Sequence, residues 1–439
     1  MGLGNILFIV LLAGASGLFA RNFSRIRRNI LLGRDVVIND RKSERWAVMT
    51  RVALGQSKMM VKPIVGLLHL VVYAGFVIIN IEVLEILIDG IFGTHRALSF
   101  LGGFYDFLIG SFEWLALGVL LACVVFLIRR EGLRLKRFWM KEMTGWPRSD
   151  ASIILFTEIA LMAAFLVMNA ADMVLMDRSA HSAGSFPVSQ WTAAWCGFGS
   201  MSSGTLHVIE RFCWWFHIIG ILAFLNYLVV SKHLHILLAF PNVWYSSLTP
   251  KTEVSNMERV TGEVKSMLDP GVQPPVAVAR KVAGVEMQER FGAKDVFDLS
   301  WKQLMDGMTC TECGRCSSVC PANLTGKLLS PRKIMMDTRD RLEEVGKVID
   351  AKGKWEDDGK SLHSRITEEE LWACTTCNAC TEACPVNIDP VGIIMDLRRY
   401  LVMEESKTRP ALANMLTNLE NNGAPWQMAQ ADRMKWADT

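Results

Sequence analysis

The chain has 439 residues, of which 51% are hydrophobic and 21% charged, and its formal net charge is +3. So small a charge leaves no electrostatic footprint for nucleic acid, and the basic residues fall in loops that flank apolar runs. Because the second half is polar, the first must be strongly apolar, so we expect a membrane domain over residues 1–240, a linker over 241–295 and a soluble domain over 296–439.

In chain order, the first apolar run covers residues 3–20 and is followed by Arg21, Arg25, Arg27, Arg28 and Arg34. It has no basic stretch before it and no small-residue cleavage signature, so it reads as a retained anchor. Four further runs reach spanning length, at about 64–88, 107–128, 153–173 and 213–230, giving five helices. Basic clusters follow the first run, precede the second (Arg51, Lys58, Lys62), fill 129–141 after the third and follow the fifth (Lys232), whereas 89–106 and 177–210 carry few. The positive-inside rule then puts the N-terminus on the periplasmic side of a bacterial inner membrane and the second half in the cytoplasm. Residues 41–54 are basic and amphipathic, and either lie on the inner membrane surface or form a plain connecting helix.

Histidines inside spanning helices are costly and are candidates for function. His69 falls in the second run, and His217, His233 and His235 fall on the fifth or its cytoplasmic extension. At 100° per residue the 18 residues from His217 to His235 make five full turns, so the two are expected on one face, roughly 27 Å apart, with His233 pointing elsewhere. Two haem b groups stacked across a bilayer need ligands of that phase and rise, each completed by an imidazole from a facing helix. His69 is the one such partner on the second helix, and by depth it could meet either His235 or His217. His95 and His207 lie near the outer helix ends and read as weaker haem ligands, quinone contacts or exposed loop histidines.

Residues 245–294 are polar with a Pro-rich centre (Pro270, Pro274, Pro275) and read as a linker of low order. Beyond it, Cys310, Cys313, Cys316, Cys320 and Pro321 spell CxxCxxCxxxCP, and Cys374, Cys377, Cys380, Cys384 and Pro385 repeat it. This is the two-cluster [4Fe-4S] pattern, in which the fourth cysteine of each run crosses to the other cluster. One cluster is therefore expected on Cys310, Cys313, Cys316 and Cys384, and the other on Cys374, Cys377, Cys380 and Cys320. Zinc sites use two CxxC pairs and give no reason for the third and fourth cysteines. Cluster thiols must stay reduced, which agrees with a cytoplasmic domain. The charged stretch 321–373 is longer than in a compact ferredoxin and is expected to offer surface to a partner. Cys123, Cys196 and Cys213 read as small apolar residues. The expected fold is thus an all-α membrane bundle of five helices followed by a mostly helical ferredoxin-like domain with two [4Fe-4S] clusters.

Trp214-Trp215-Phe216-His217, running on through Asn226-Tyr227 to Ser231-Lys232-His233-Leu234-His235, and Gly66-Leu67-Leu68-His69 with Gly75-Phe76, carry a family likeness. They resemble the cytochrome b subunit of respiratory nitrate reductase and, more closely, membrane-anchored iron-sulfur oxidoreductases related to heterodisulfide reductase and to electron-transfer-flavoprotein:menaquinone oxidoreductase, of the type found in Bacteroidetes. The cysteine runs and Asn421-Asn422-Gly423-Ala424-Pro425-Trp426 resemble the same group. The resemblance implies electron passage between a cytoplasmic partner, the clusters, haem b and menaquinone. It also favours His235 as partner to His69. The nitrate reductase subunit has a second histidine ten residues away on its helix two, where this chain has Met59 and Ile79, so one or two haems remain open. Longer relatives continue into CCG modules, and these 439 residues contain none, nor a GxGxxG or a nucleophile constellation. The expected partner is a separate CCG subunit or an electron-transfer flavoprotein. A quinol-dependent reductase running the other way, a redox-sensing anchor, and a haem-free chain in which quinone meets the clusters directly are the other readings.

Overall fold

The structure is a computed structural model that describes residues 2–179, 184–251, 253–276, 279–432 and 434–437, so parts of the expected linker and the last residues of the expected soluble domain lie outside it. Among the described residues five helices are long and apolar enough to cross a membrane: α1 (Leu3–Ile30), α3 (Pro63–Phe92), α4 (Gly103–Leu127, running on to Gly132), α5 (Trp146–Arg178) and α7 (Ser203–Tyr227, running on to Val230). The short helices α2 (Lys42–Met49) and α6 (Pro187–Trp195) lie between them. Each spanning helix is longer than its apolar run, because polar ends continue the helix after the hydrophobic window stops. Proline in the first turn starts α3 and α5, where its missing N–H costs nothing, and Ser202 caps α7 by accepting from the Thr205 N–H. The helices α3, α4, α5 and α7 pack in sequence, and α1 lies against α3 and α7. On α1 only Phe8, Ile26, Asn29 and Ile30 are buried, and its outward Leu3, Ile6, Leu7 and Val10 form the kind of apolar surface that lipid covers.

The fifth spanning helix does not continue through His235. It ends at Tyr227, tightens into a 3-10 turn at Leu228–Val230, and Ser231 is extended (φ −116°, ψ 150°) before α8 (His235–Trp244) begins. The cause is Asp150 at the start of α5, which accepts hydrogen bonds from Tyr227 Oη (2.5 Å), Ser231 Oγ (2.7 Å) and the Lys232 N–H (3.0 Å). Asp150 thus takes the Lys232 N–H that a continuing helix would have paired, and Ser231 Oγ, which it holds, accepts from the His233 N–H at 3.1 Å. The 18-residue phase that would put His217 and His235 on one face is therefore lost.

The stretch expected to be a loosely ordered linker carries α9 (Glu258–Leu268) and a hairpin of β1 (Arg280–Val282) antiparallel to β2 (Val285–Met287). Arg280 fastens the hairpin by donating to the carbonyls of Gly33 (2.7 Å) and Phe297 (2.5 Å). Residues 41–54 are not a free surface helix either. Buried Arg45 on α2 donates to the carbonyls of Trp244 (3.1 Å) and Ser246 (2.9 Å), seating α2 against α8.

The cysteine-bearing part consists of α10 (Trp301–Thr309), α11 (Arg315–Val319), α12 (Pro321–Leu324), α13 (Pro331–Lys352), α14 (Glu368–Ala373), α15 (Ala379–Ala383), α16 (Pro390–Met403) and α17 (Pro410–Asn422). Leu304, Ile334, Leu342, Leu371, Ile393 and Leu397 form its centre, and the same apolar cluster runs into the bundle through Ile26, Ile30, Leu234 and Leu238. Gly346 on α13 allows the closest approach: a Cβ there would fall 2.2 Å from Asn29 Nδ2. Arg28 locks the contact with bonds to Gly346 O (3.2 Å) and Asp350 (2.5 Å).

Candidate electron-transfer site

The two cysteine runs share one backbone design. In the first, Glu312 (φ 54°) and Gly314 (φ 71°) flank Cys313 in left-handed conformation, and in the second Thr376 (φ 54°) and Asn378 (φ 58°) flank Cys377. Alternating handedness turns successive amides inward into a concavity that suits an anionic cluster, and the Thr376 N–H reaches Cys374 Sγ at 3.4 Å. Cys316 and Cys380 follow on α11 and α15, which pack against each other, and Cys320 and Cys384 are the residues at which those two helices end. Pro321 then opens α12, so the chain turns away directly after Cys320.

The packing of α11 on α15 brings the thiols together in two sets. Cys316 sits within electrostatic reach of Cys310, Cys313 and Cys384, with Cys380 beyond them, while Cys374 faces Cys320 and Cys377, and Cys380 faces Cys374. Burial pushes the Cys310, Cys380 and Cys384 thiols up to about 12. Thiols held so high ionise only around a cationic centre, and two sets of four fit two iron-sulfur cubanes, whose irons the thiolates would hold.

The first set lies against the membrane bundle. Lys58 bears on Cys384, and Lys62 and Arg137 bear on Cys313, all three from loops between spanning helices. Arg315 donates to Lys58 O at 2.9 Å, and Glu312 is paired with Lys232 and with Arg339 (2.7 Å). Burial alone would raise the Glu312 carboxyl, but these two cations hold it below the usual carboxylate range. The second set faces outward: Cys377 is exposed, and Arg398 and Asp389 beside it belong to the cysteine-bearing part itself.

Of the histidines, His69, His233 and His235 converge next to the first set. The His233 and His235 rings are 5.4 Å apart at 89°, and burial together with the neighbouring His235 and His69 imidazoles holds His233 down to about 3. Arg315 lies within electrostatic reach of His69. His233, expected to point elsewhere, is thus part of the group, because the 3-10 turn before α8 swings it round. His69 does not meet His217, which sits deeper, with Nδ1 3.0 Å from Leu161 O and its ring 5.9 Å from that of Phe165. His235 Nδ1 is likewise 3.1 Å from Lys232 O. A ring nitrogen facing a carbonyl is the N–H, which leaves Nε2 as a free base in both. His69 Nδ1 is buried with no hydrogen-bond partner. Imidazoles presented in this way fit axial ligation of a haem iron.

His95 and His207 sit at the other end of the bundle, by a cavity of about 1020 Å³. His95 Nε2 is 3.1 Å from Asp172 Oδ1, and that bond holds the imidazole above its usual range. Buried Arg96 ties Asp172 (3.0 Å), Asn169 (2.8 Å) and Glu82 (3.4 Å) together. Sequence reading does not single out Glu82, Glu85 or Asp172, yet their signal is present: each is an acid inside or at the edge of a spanning run. Cys123 and Cys213 are buried among apolar neighbours as expected, and Cys196 is half-buried.

Comparison with known proteins agrees with the cysteine geometry. Residues 309–388 match the 4Fe-4S dicluster domain family, which spans all eight clustered cysteines. Over 99% of its length the chain is similar to the probable iron-sulfur-binding oxidoreductase FadF of Bacillus subtilis (27% identity, 60% of that protein) and to the EtfAB:quinone oxidoreductase of Syntrophomonas wolfei (26% identity, 59% of that protein). Its cysteine-bearing part is similar to a component of the ferredoxin/F(420)H(2)-dependent CoB-CoM heterodisulfide reductase of Methanosarcina acetivorans, at 32% identity over 23% of this chain and 49% of that one. The chain spans about three fifths of the two full-length relatives. No solved structure is significantly similar to it. A 4Fe-4S dicluster domain combined with helices of membrane-spanning length, in a chain related to iron-sulfur oxidoreductases, assigns it an iron-sulfur electron-transfer role.

Proposed function

We propose that the chain passes electrons between a cytoplasmic redox partner and the menaquinone pool, through two [4Fe-4S] clusters and haem b. The clusters would be held by Cys374, Cys377, Cys380 and Cys320 on the outward side and by Cys310, Cys313, Cys316 and Cys384 on the membrane side. Haem would be held by His69 with His235 or His233, and His217 is the candidate for a second. The observation that carries this reading is the grouping of His69, His233 and His235 beside the first cysteine loop, where Arg315 lies within electrostatic reach of His69 and Lys232, next to His233, pairs with Glu312. In the resulting order the partner meets the set containing exposed Cys377 first. An electron-transfer flavoprotein or a CCG-type subunit fits that position, and the name of the Syntrophomonas relative supports both the flavoprotein and the quinone. Basic loops at the thiol end support a membrane domain over 1–240 with its N-terminus in the periplasm, a joining segment over 241–295 and a cytoplasmic cluster domain over 296–439.

The clusters and haem supply reversible one-electron chemistry; the residues hold them, exclude water and set their spacing. Purified protein should carry about eight non-haem irons and one or two haems b per chain, read by iron, acid-labile sulfide and pyridine haemochrome assays. His69→Ala should remove haem and leave the irons. Full haem in both His69→Ala and His217→Ala would overturn the ligand assignment.

A further inference from the structure

The end of the bundle far from the eight clustered cysteines is built like a binding site. The cavity there lies between α1, α3, α5 and α7, and its volume of about 1020 Å³ is at the upper edge of what small-ligand sites occupy. Its lining combines the aromatic and apolar Phe8, Ile86, Trp214 and Trp215 with the polar Glu82, Arg96, Asp172 and His95. Glu82 is 2% exposed, yet its Oε2 has no hydrogen-bond partner. A buried carboxyl oxygen left unpaired keeps its desolvation cost, which a ligand hydroxyl donating to it would offset.

The ligand's chemistry follows from what is already paired. Arg96 is occupied by Asp172, Asn169 and Glu82, Arg211 by Glu210, and Arg178 by Ser203 and the Gly199 carbonyl, so each arginine at the site is engaged and none is left to hold an anionic ligand. What remains is one unpaired carboxyl oxygen, the exposed His207, a His95 imidazole whose side chain is 54% exposed while its partner Asp172 is 9% exposed, and aromatic rings able to cover a flat apolar group. His217 lies three residues beyond Trp214 on α7, about 4.5 Å closer to the clusters along the helix. From Trp214 to the end of α7 at Tyr227 the helix covers about 20 Å, so a redox group on His217 would stand between the cavity and the thiol end.

We propose that this cavity is a naphthoquinone headgroup site, in which Glu82 and His95 each hydrogen-bond one of the two quinone oxygens and deliver the two protons of reduction. It rests on the quinone-linked reading above. One quinone takes two electrons, singly, from the chain's own redox groups, which the cytoplasmic partner re-reduces. It takes two protons, one from the Glu82 carboxyl and one from the His95 imidazolium, both replaced from the aqueous phase that exposed His95 touches. Asp172 is a positioning residue that orients the His95 ring.

The test uses the whole protein in liposomes, reduced with dithionite and mixed with a short-chain naphthoquinone, with reoxidation followed optically. Glu82→Gln keeps an oxygen for Arg96 but cannot carry the proton. It should slow reoxidation about 100-fold while iron and haem contents and dithionite reduction stay unchanged; His95→Ala should slow it about 10-fold. Ile86→Trp, which fills the cavity one helical turn from Glu82 without altering a titratable group, should raise the quinone concentration needed for half-maximal rate at least 10-fold. An azido-naphthoquinone should label peptides of α3 and α7 at this end. Wild-type reoxidation with all three variants equally fast, or labelling confined to the thiol end, would overturn the site. A wild type inert to naphthoquinone would instead overturn the quinone reading itself.

Discussion

The two cysteine runs have the same spacing and the same pair of left-handed residues, yet one is built into the membrane bundle and the other is open. The difference lies in the residues between the cysteines. The first run places Glu312, Gly314 and Arg315 where the second places Thr376, Asn378 and Ala379. Glu312 and Arg315 reach Lys232 and Lys58 of the bundle, and Gly314 lets the buried Arg332 side chain lie against the loop, where a Cβ would meet Nη1 at 2.6 Å. Asn378 reaches the carbonyls of Lys251 and of its own loop's Thr376. Iron ligation dictates the spacing, whereas the intervening residues decide which set of thiols is docked against the helical bundle and which is open.

The largest effect should come from removing one set at a time. Cys316→Ser should bring iron from about eight to about four per chain, and so should Cys377→Ser, since each takes away one cubane's ligand. The consequences should then diverge. With quinol as donor from the membrane, Cys377→Ser should still allow the membrane-side cluster to be reduced, as followed by EPR. Cys316→Ser should leave the outward cluster oxidised, its rate of reduction falling at least 100-fold. Equal behaviour of the two variants would mean that the clusters are not in series.

Much of this is legible in the sequence because cluster ligation and membrane spanning are local demands. The cysteine runs declare themselves by spacing, and the five long helices by their apolar runs. What stays hidden depends on residues far apart in the chain. The break after Tyr227 is caused by Asp150, an acid 81 positions from Ser231, and no reading of α7 by itself can find it. That break also brings His233 round beside His235 and His69, so helical phase computed from His217 misplaces both. The hairpin at Arg280–Met287 looks like loose linker because its strands are three residues each and held by Arg280 to carbonyls elsewhere. The acids Glu82 and Asp172 are a different case, since an acid in an apolar run is visible in sequence and its cost is known.

A second contrast concerns stability. Glu312 is 2% exposed between Lys232 and Arg339, themselves 9% and 14% exposed. Glu312→Ala leaves two cations with little solvent and one partner fewer, a change that typically costs about 3–5 kcal/mol. Thr376→Ala, at the matching position, should cost less than about 1 kcal/mol, as the hydroxyl bonds only its neighbour's carbonyl. Thermal unfolding in detergent would measure both. Because the folded-state Glu312 carboxyl is held below its ordinary value of 4.5, its contribution is fully present above that value and is lost as pH falls below it. Glu312→Gln should therefore flatten the acid side of the stability profile.

The smallest effect probes the left-handed residues themselves. Gly314 pays no steric cost at φ 71°, whereas Asn378 at φ 58° already tolerates it through its short polar side chain. Gly314→Ala should cost about 1–2 kcal/mol from the backbone, and more in practice, because Arg332 cannot easily give way: it is fully buried and held by Arg137 O (2.6 Å) and Glu142 (2.8 Å). Asn378→Gly relieves strain but frees the unfolded chain, so the two nearly cancel and stability should stay within about 0.5 kcal/mol. The functional readout separates the positions further. Moving Arg332 disturbs the contact between the first cysteine loop and the bundle, so Gly314→Ala should also slow electron transfer from the clusters to the membrane groups. Asn378→Gly should leave that rate unchanged, because the carbonyls its side chain bonds, on Lys251 and Thr376, both lie outside the spanning helices. If Asn378→Gly slowed transfer as much as Gly314→Ala, the two loops would have to be equally coupled to the membrane, and the contrast between a docked and an open cluster would fail.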